Sequence, residues 1–155
     1  MTDTVTLFSK LNLGAHRHLH VLNAPPSFRP HTDTLVRTGV KVNFRHTRTV
    51  SFALAFAVTQ SELDQLSAGL AAAAQGDAVL WICYPKGTSR RYKCEFNRDS
   101  GWKVLGAAGF EPVGMVAIDE DWSALRFRRV EHIKSMTRDP TRAHSKAGRK
   151  KAKKT

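Results

Sequence analysis

The fold is decided by residues 51–84, SFALAFAVTQSELDQLSAGLAAAAQGDAVLWICY. The first eight and the last seven residues of this stretch are almost wholly apolar and rich in β-formers, which is typical of strands covered on both faces. Between them, Thr59 and Glu62 have the spacing of a capping box, and apolar residues follow at helical spacing. The stretch therefore predicts a strand, a helix that ends at Gly76, and a second, parallel strand.

Further strands and helices are predicted on either side of this strand–helix–strand unit. Strands are predicted at Leu19–Asn23, Val40–Phe44, Ser51–Val58, Ala78–Tyr84, Val113–Ile118 and Ser123–Val130. Further helices are predicted at Thr4–Leu13 and Asp99–Ala108, a short extended piece at Lys93–Phe96, and a loop with at most one helical turn at 27–38. Because strands alternate with helices, we expect an α/β, Rossmann-like fold with a mostly parallel sheet, helices packed on it and an antiparallel edge hairpin.

The positive charge is unevenly distributed along the chain. The 155 residues include 25 Lys and Arg against 13 Asp and Glu, a net charge of +12. Residues 137–155 hold eight Lys or Arg and one Asp, a local +7, and few apolar side chains. We therefore expect one α/β domain at 1–136 and a disordered basic tail at 137–155.

Composition also excludes several classes of protein. No apolar run approaches the ~20 residues of a membrane span, and no charged start followed by an apolar stretch predicts export. The two cysteines, Cys83 and Cys94, are too few for a disulfide scaffold and lack the spacing of a zinc site. The sequence predicts a cytoplasmic globular protein.

Three short segments carry a family resemblance. They are LNAPP at Leu22–Pro26, LWICYPK at Leu80–Lys86, and DEDWSALRFR at Asp119–Arg128. Together they resemble a small bacterial family known only as a domain of unknown function, over about Thr4 to Val130. The order of elements is also similar to the class I methyltransferase variant of the Rossmann fold, which implies an S-adenosylmethionine site.

Two elements of such a site are missing from this sequence. The cofactor needs a glycine-rich turn after the first strand, where backbone amides approach it closely, and Ala24, Pro25 and Pro26 stand there instead. It also needs an acidic residue after the second strand, where this chain has Arg45 and His46. We therefore expect no cofactor, and specifically no binding of S-adenosylmethionine.

Several polar side chains near predicted strand ends are candidates for holding a phosphate or another ligand. The loop KGTSRR at residues 86–91 has the residue types that bind phosphate, although it is not a P-loop, and a solvated basic loop is the alternative. On the last strand, Trp122 is predicted to share a face with Arg126 and Arg128. This face could stack on bases and hold phosphates, or it could simply be the solvent-exposed face of an edge strand. The ligand candidates are Asn23, Lys86, Arg90, Arg91, Trp122, Arg126 and Arg128.

Other reactive residue types have simpler structural explanations. His16, His18 and His20 alternate as metal ligands on a strand do, but no carboxylate or thiolate lies near them in sequence, and we expect no metal site. Cys94 has basic neighbours without a recognisable base, so we expect no catalytic residue there. Asp119–Asp121 is predicted to be a hairpin turn.

The basic tail gives the strongest functional indication. Flexible Lys- and Arg-rich arms bind nucleic acid without reading its sequence, by releasing condensed counterions. The tail residues expected to do so are Arg142, Lys146, Arg149, Lys150, Lys151, Lys153 and Lys154. The sequence thus favours a non-enzymatic domain that associates with nucleic acid, with a solubilising tail as the alternative explanation of the charge. Alternative functions are a small-molecule-binding or degenerate methyltransferase-like enzyme, and a protein–protein adaptor.

Overall fold

The computed structural model describes residues 3–133, which form one six-stranded sheet flanked by helices. The predicted tail lies outside the described residues. The strands are β1 (His18–Leu22), β2 (Lys41–Asn43), β3 (Val50–Phe56), β4 (Ala74–Pro85), β5 (Phe110–Ala117) and β6 (Trp122–Arg129). The helices are α1 (Thr4–Lys10), α2 (Arg29–Arg37), α3 (Gln60–Ala73) and α4 (Lys103–Ala107), with short 3₁₀ turns at Pro26–Phe28 and Val130–His132.

The sheet has the order β2-β1-β3-β4-β6-β5. The first four strands are parallel, and β6 runs antiparallel to both β4 and β5. This confirms the predicted mostly parallel Rossmann-like sheet with an antiparallel hairpin. The order reverses between β1 and β3, and such a reversal point is where open α/β sheets bind ligands.

Alternate residues of the central strands enter two separate cores. On β4, Leu80, Ile82 and Tyr84 pack toward α3 and α4, whereas Trp81 and Cys83 pack toward α1 and α2. All five are at most 6% exposed. Both faces of the sheet are therefore covered, which explains why β3 and β4 are apolar without alternation.

Helix α3 begins where the sequence predicts and ends before the predicted residue, Gly76. The Thr59 hydroxyl accepts from the Glu62 amide at 3.1 Å, and the Glu62 carboxylate accepts from the Thr59 amide at 3.0 Å, which completes the capping box. The prediction that Gly76 ends the helix is wrong, because the backbone turns extended at Ala74 and β4 begins there. Gly76 instead takes a φ of +54° where the β3–β4 register shifts.

The prediction of a loop at 27–38 is wrong, because residues Arg29–Arg37 form helix α2. Pro26 and Pro30 lie at the starts of the 3₁₀ turn and of α2, where a missing amide proton costs no helical hydrogen bond. Phe28 and Leu35 are buried and attach this segment to the core on the α1 side. The prolines therefore mark the beginning of a helix.

The segment between β4 and β5 contains less regular structure than the sequence predicts. Lys93–Phe96 is not a strand, although the Glu95 amide donates to the Val58 carbonyl at 3.0 Å. Helix α4 is five residues long, because Gly101, with a φ of +99°, interrupts the predicted helix before Lys103. Among residues 3–133, no helix has both the length and the hydropathy that crossing a membrane requires.

Candidate functional site

A wide cavity of about 910 Å³ lies at the carboxyl end of β4. Its wall is formed by the segment 84–98, which leaves the sheet at Tyr84 and Pro85, together with Met115 and Ser123 on the hairpin. The cavity thus lies at the edge of the sheet where this class of fold binds its ligands. Lys86, Arg90 and Arg91, three of the sequence candidates, all line it.

The basic loop is held in place by the turn of the β5–β6 hairpin. The Ser89 hydroxyl donates to Asp121 Oδ1 at 2.8 Å and accepts from the backbone amides of Arg91 and Tyr92 at 3.2 and 3.1 Å. The Lys86 amide donates to the Asp121 carbonyl at 2.8 Å. The Tyr92 ring packs on Trp122, with 5.0 Å between ring centroids. The loop therefore has a defined shape, set by residues of a distant hairpin.

The cavity is strongly positive. Five cationic side chains line it against one carboxylate, Glu95; the cations are Lys86, Arg90, Arg91, Lys93 and Arg98. Arg91 lies 4.0 Å from Asp121 and Arg98 lies 3.6 Å from Asp99. The Arg91 side chain is 67% exposed, so that pair is weak and leaves the guanidinium able to bind an anion. Within residues 3–133, Lys86, Arg90 and Lys93 form no ion pair.

The cavity contains hydroxyl and thiol groups that are not activated as nucleophiles. Burial raises the pKa of the Cys94 thiol, which keeps it protonated near neutral pH. Burial also raises the pKa of Tyr84, whose hydroxyl lies 3.5 Å from the Met115 sulfur. The Ser89 hydroxyl is engaged with Asp121. The Cys94 thiol and the Tyr84 and Ser89 hydroxyls are thus not activated as nucleophiles, and the Lys and Arg residues of the cavity are suited to binding an anion.

Asn23 occupies the point where the strand order reverses. Its backbone is left-handed, with a φ of +58°, and its side-chain amide donates to the Phe56 carbonyl at 2.8 Å and to Glu62 Oε2 at 2.9 Å. The Asn23 side chain thus ties the end of β1 to the end of β3 and to the start of α3. Hydrogen bonds from the Thr59 backbone amide above all, then from the Val58 amide and the Asn23 side chain, hold the pKa of Glu62 below its ordinary value.

The residues at this point do not fit S-adenosylmethionine. Pro25 and Pro26 offer no amide protons to a ligand, and the Asn23 side chain bridges the two strand ends. After β2, the His46 ring lies against Gly69 of α3, where a built Cβ would be 3.2 Å from the imidazole. A cavity of about 360 Å³ remains beside Asn23, His46 and Glu62, without an acidic residue from the β2 end.

The burial of Trp122 on β6 differs from what the sequence predicts. Trp122 is 3% exposed and packs edge-on against Phe56, so the expectation that its ring lies on an open face beside the arginines is wrong. Both faces of the sheet are covered at Trp122, and alternation along β6 alone could not show this. Arg128 forms a two-point ion pair with Asp77, at 2.8 and 2.5 Å.

Arg126 is half-buried, and its Nε has no partner among the described residues. Burial and the neighbouring charge of Arg128 lower the pKa of the Arg126 guanidinium. Arg126 and Arg128 are not among the residues that line the 910 Å³ cavity. The structure therefore does not bring these two arginines together with Lys86, Arg90 and Arg91 in that cavity.

The histidines of the first strand are used in hydrogen bonds. The amide of Asn43 donates to His18 Nε2 at 2.9 Å, and His20 Nε2 lies 2.8 Å from the Thr47 hydroxyl. His16 lies outside β1, and its ring packs near Phe52. Among residues 3–133, no three potential ligand side chains are grouped as a metal site requires.

Two solved structures with similar folds are methyltransferases. A SAM dependent methyltransferase from Aquifex aeolicus superposes with a TM-score of 0.55 at 12% identity, over 81% of this chain and 89% of that one. The N-methyltransferase NodS from Bradyrhizobium japonicum WM9 gives a TM-score of 0.51 at 12% identity, over 81% and 93%. No family model and no curated protein matches the sequence. At this identity the likeness shows the fold alone, which is the Rossmann-like fold of methyltransferases.

Sequence reasoning missed several residues of the cavity. Lys93 and Arg98 line it, although neither belongs to the KGTSRR loop. Asp121 and Ser89 shape it from positions 32 residues apart, a pairing that no local pattern reveals. The sequence signal for this region is the KGTSRR loop itself, because loops at strand ends frequently carry function.

Proposed function

We propose that this protein binds an anionic small molecule, of the phosphate-bearing class, in the cavity at the carboxyl end of β4. The observation that carries the proposal is that five Lys and Arg residues line one cavity together with a single Asp or Glu residue, Glu95. Guanidinium groups bind phosphate with strong, charge-assisted hydrogen bonds, and a lysine adds a point charge. The small-molecule-binding alternative from the sequence is therefore favoured.

The size and position of the cavity support a small ligand. Ligand pockets in proteins commonly measure about 300–1,000 Å³, and this cavity falls near the upper end of that range. The fold supports a ligand at this edge of the sheet, because Rossmann-like sheets bind ligands beyond the carboxyl ends of their strands, although the cavity lies after β4 and not at the reversal point between β1 and β3. The raised pKa values of Cys94 and Tyr84 and the engagement of Ser89 with Asp121 favour binding over covalent catalysis by these three groups.

Calorimetry with pyrophosphate and inorganic phosphate tests the proposal. The double variant Arg90→Gln, Arg91→Gln removes two cavity charges, and we expect its affinity for pyrophosphate to fall about tenfold or more. The matched control Arg29→Gln, Arg37→Gln removes two exposed charges from α2 and should bind as the unaltered chain does. Equal affinities for the two double variants, or no binding by the unaltered chain at low salt, would refute the proposal.

Non-specific association with nucleic acid through the tail is the second candidate function. It rests on the eight Lys and Arg against one Asp at 137–155. If about five phosphate contacts form, log K should fall with log salt at a slope of about −4 to −5. Replacing Lys150, Lys151, Lys153 and Lys154 with Gln removes four of the eight cations and should reduce that slope by about half on duplex DNA. A slope that these four substitutions leave unchanged would show that the tail does not carry the binding.

A further inference from the structure

The lining of the 910 Å³ cavity divides into a charged rim and an uncharged floor. The rim carries the five Lys and Arg residues, and all of these except Lys86 are exposed. The floor consists of Tyr84, Met115 and Ser123, which lie on the neighbouring strands β4, β5 and β6. Tyr84 is buried and pairs with Ser123 across β4 and β6. A ligand in this cavity therefore meets cations on one side and the uncharged surface of the sheet on the other.

Met115 is the apolar side chain of the floor that a ligand can reach. It is 47% exposed, although its partner across the sheet, Leu125, is buried in the core beneath α3 and α4. The Tyr84 hydroxyl donates to the Met115 sulfur at 3.5 Å. The Tyr84 ring in turn packs against Phe96 and Trp102, with 5.8 Å between ring centroids in both pairs. The thioether is therefore held in place by a buried side chain.

An exposed thioether on the floor favours a flat aromatic group on the ligand. Sulfur makes favourable contacts with aromatic rings, and covering the apolar surface of Met115 removes it from water. A sugar in the same place would give up hydrogen bonds to water, and a thioether, which is only a weak acceptor, does not replace them. The Ser123 hydroxyl beside Tyr84 can donate or accept one hydrogen bond. A ring with an apolar face and a polar edge, such as a nucleobase, matches this floor.

We propose that the ligand of this cavity is a nucleoside phosphate, with its phosphate among the cations of the rim and its base against Met115 and Ser123. The inference rests on the proposed function, because it names the organic group that the bound phosphate carries. A nucleotide contacts both parts of the lining, whereas a free phosphate would contact the rim alone. A cavity of about 910 Å³ also has the size of an organic ligand's pocket, which an inorganic anion would leave mostly filled with water.

The walls of the cavity favour a single nucleotide over a polynucleotide strand. The basic loop and the β5–β6 hairpin, which form opposite walls, are joined at the hairpin turn by two hydrogen bonds to Asp121. The Ser89 hydroxyl donates to its carboxylate and the Lys86 amide to its carbonyl, each at 2.8 Å. A polynucleotide needs a groove that follows its backbone past the site. Walls that meet at one end suit a ligand that stops there.

Calorimetry of the full chain with AMP, ribose 5-phosphate and pyrophosphate tests the inference. AMP carries a base that ribose 5-phosphate lacks, and we expect AMP to bind about fivefold or more tightly. Met115→Ala should remove most of this preference and leave the affinity for pyrophosphate unchanged. Ser123→Ala is a second variant that leaves the contact between Tyr84 and Met115 in place, and it should also reduce the preference. Val113→Ala, at an exposed apolar residue of β5 that does not line the cavity, is the matched control.

The outcomes separate this inference from the proposed function. Binding of pyrophosphate, together with equal affinities for AMP and ribose 5-phosphate, would leave the proposed function standing and overturn the nucleotide. A preference for AMP that Met115→Ala and Ser123→Ala both leave intact would also overturn it, because the base would then lie elsewhere. A single-stranded oligonucleotide that displaces AMP and binds about a hundredfold more tightly would assign the cavity to a polynucleotide instead. Binding of none of the three small ligands at low salt would overturn both proposals.

Discussion

At the scale of single residues, Ser89 determines the shape of the proposed binding loop. Its hydroxyl is a hydrogen-bond donor to Asp121 and an acceptor for the amides of Arg91 and Tyr92. Three polar groups thus depend on one oxygen atom, and two of them belong to the backbone of the basic loop. The positions of the loop cations are therefore coupled to the turn of the β5–β6 hairpin.

The first prediction concerns this hydroxyl. Ser89→Ala should lower the free energy of unfolding by about 1–2 kcal/mol, because two amide donors and one carboxylate lose a partner. Chemical denaturation measures this change, and Ser9→Ala, at an exposed position of α1, is the control. If Ser89→Ala is as stable as Ser9→Ala, the loop does not depend on this hydroxyl.

The second prediction concerns Gly69, which lies in the middle of α3. A Cβ at this position would come within 3.2 Å of the His46 ring. His46 is exposed and can move by the small distance required. Gly69→Ala should therefore stabilise the protein by about 0.5–1 kcal/mol, since glycine is unfavourable in a helix interior. A drop in the thermal midpoint of this variant would show that the His46 ring is held rigidly.

Local residue pairs were predictable from sequence, and distant ones were not. Thr59 and Glu62 are three residues apart, so their spacing alone indicates the capping box that the structure confirms. Ser89 and Asp121 meet only because the sheet brings the two loops together. The burial of Trp122 likewise depends on Phe56 and Tyr92 from other elements.

At the scale of elements, β1 carries a buried histidine. His20 is 2% exposed, and burial, followed by the nearby rings of His18 and His46, lowers the pKa of its imidazole below 6.5. Burial lowers the pKa of His31 in α2 as well, although Asp119 and Asp3 oppose this. Both histidines are therefore neutral in the folded protein at a pH where they are protonated in the unfolded chain.

The third prediction follows from the sign of these shifts. Above about pH 6.5 the imidazoles of His20 and His31 are mostly neutral in the folded protein and in the unfolded chain, so they do not make stability depend on pH. As pH falls below 6.5, the unfolded chain takes up protons that the folded protein does not, so the free energy of unfolding should decrease. Urea denaturation between pH 7.5 and about 5 measures this fall.

His20→Gln serves as the variant for this test, because it keeps a polar side chain and removes the titration. The fall should become shallower in this variant and should not disappear, since His31 still titrates. A stability that rises on acidification through pH 6 would contradict the assignment.

Elements with strong periodicity were predictable, and those with prolines or glycines were not. The apolar strands β3 and β4 and the capped helix α3 were recognised from their patterns. Helix α2 was not predictable in this way, because Pro30 interrupts the helical pattern in the sequence, whereas in the structure it occupies the first turn, where proline is favoured. Helix α4 is shorter than predicted because the left-handed backbone of Gly101 delays its start.

At the scale of the whole molecule, the sheet order defines both the class of fold and the position of the cavity. Alternating strands and helices predict a parallel sheet, and the structure confirms it. The cavity could not be predicted, because its wall comes from an irregular segment and its far side from the hairpin. Composition gave the excess of basic residues without showing that five of them share one cavity.

The fourth prediction separates the fold from the cofactor of its structural neighbours. We expect no micromolar binding of S-adenosylmethionine, because Pro25 and Pro26 offer no amides and Asn23 bridges the strand ends. Calorimetry with the cofactor measures this directly. Micromolar affinity would show that the bridge from Asn23 opens and that the fit described here is incorrect.

Mapping of amide chemical shifts during a titration of the full chain with pyrophosphate is the most direct measurement of where a ligand binds. We expect shift changes to concentrate in residues 86–98 and on Ser123 across the cavity, and to weaken as salt screens the charges. Residues at the strand-reversal point, Asn23 and His46, should remain unchanged. Shifts confined to that point, or none within residues 86–98 at low salt, would contradict the account.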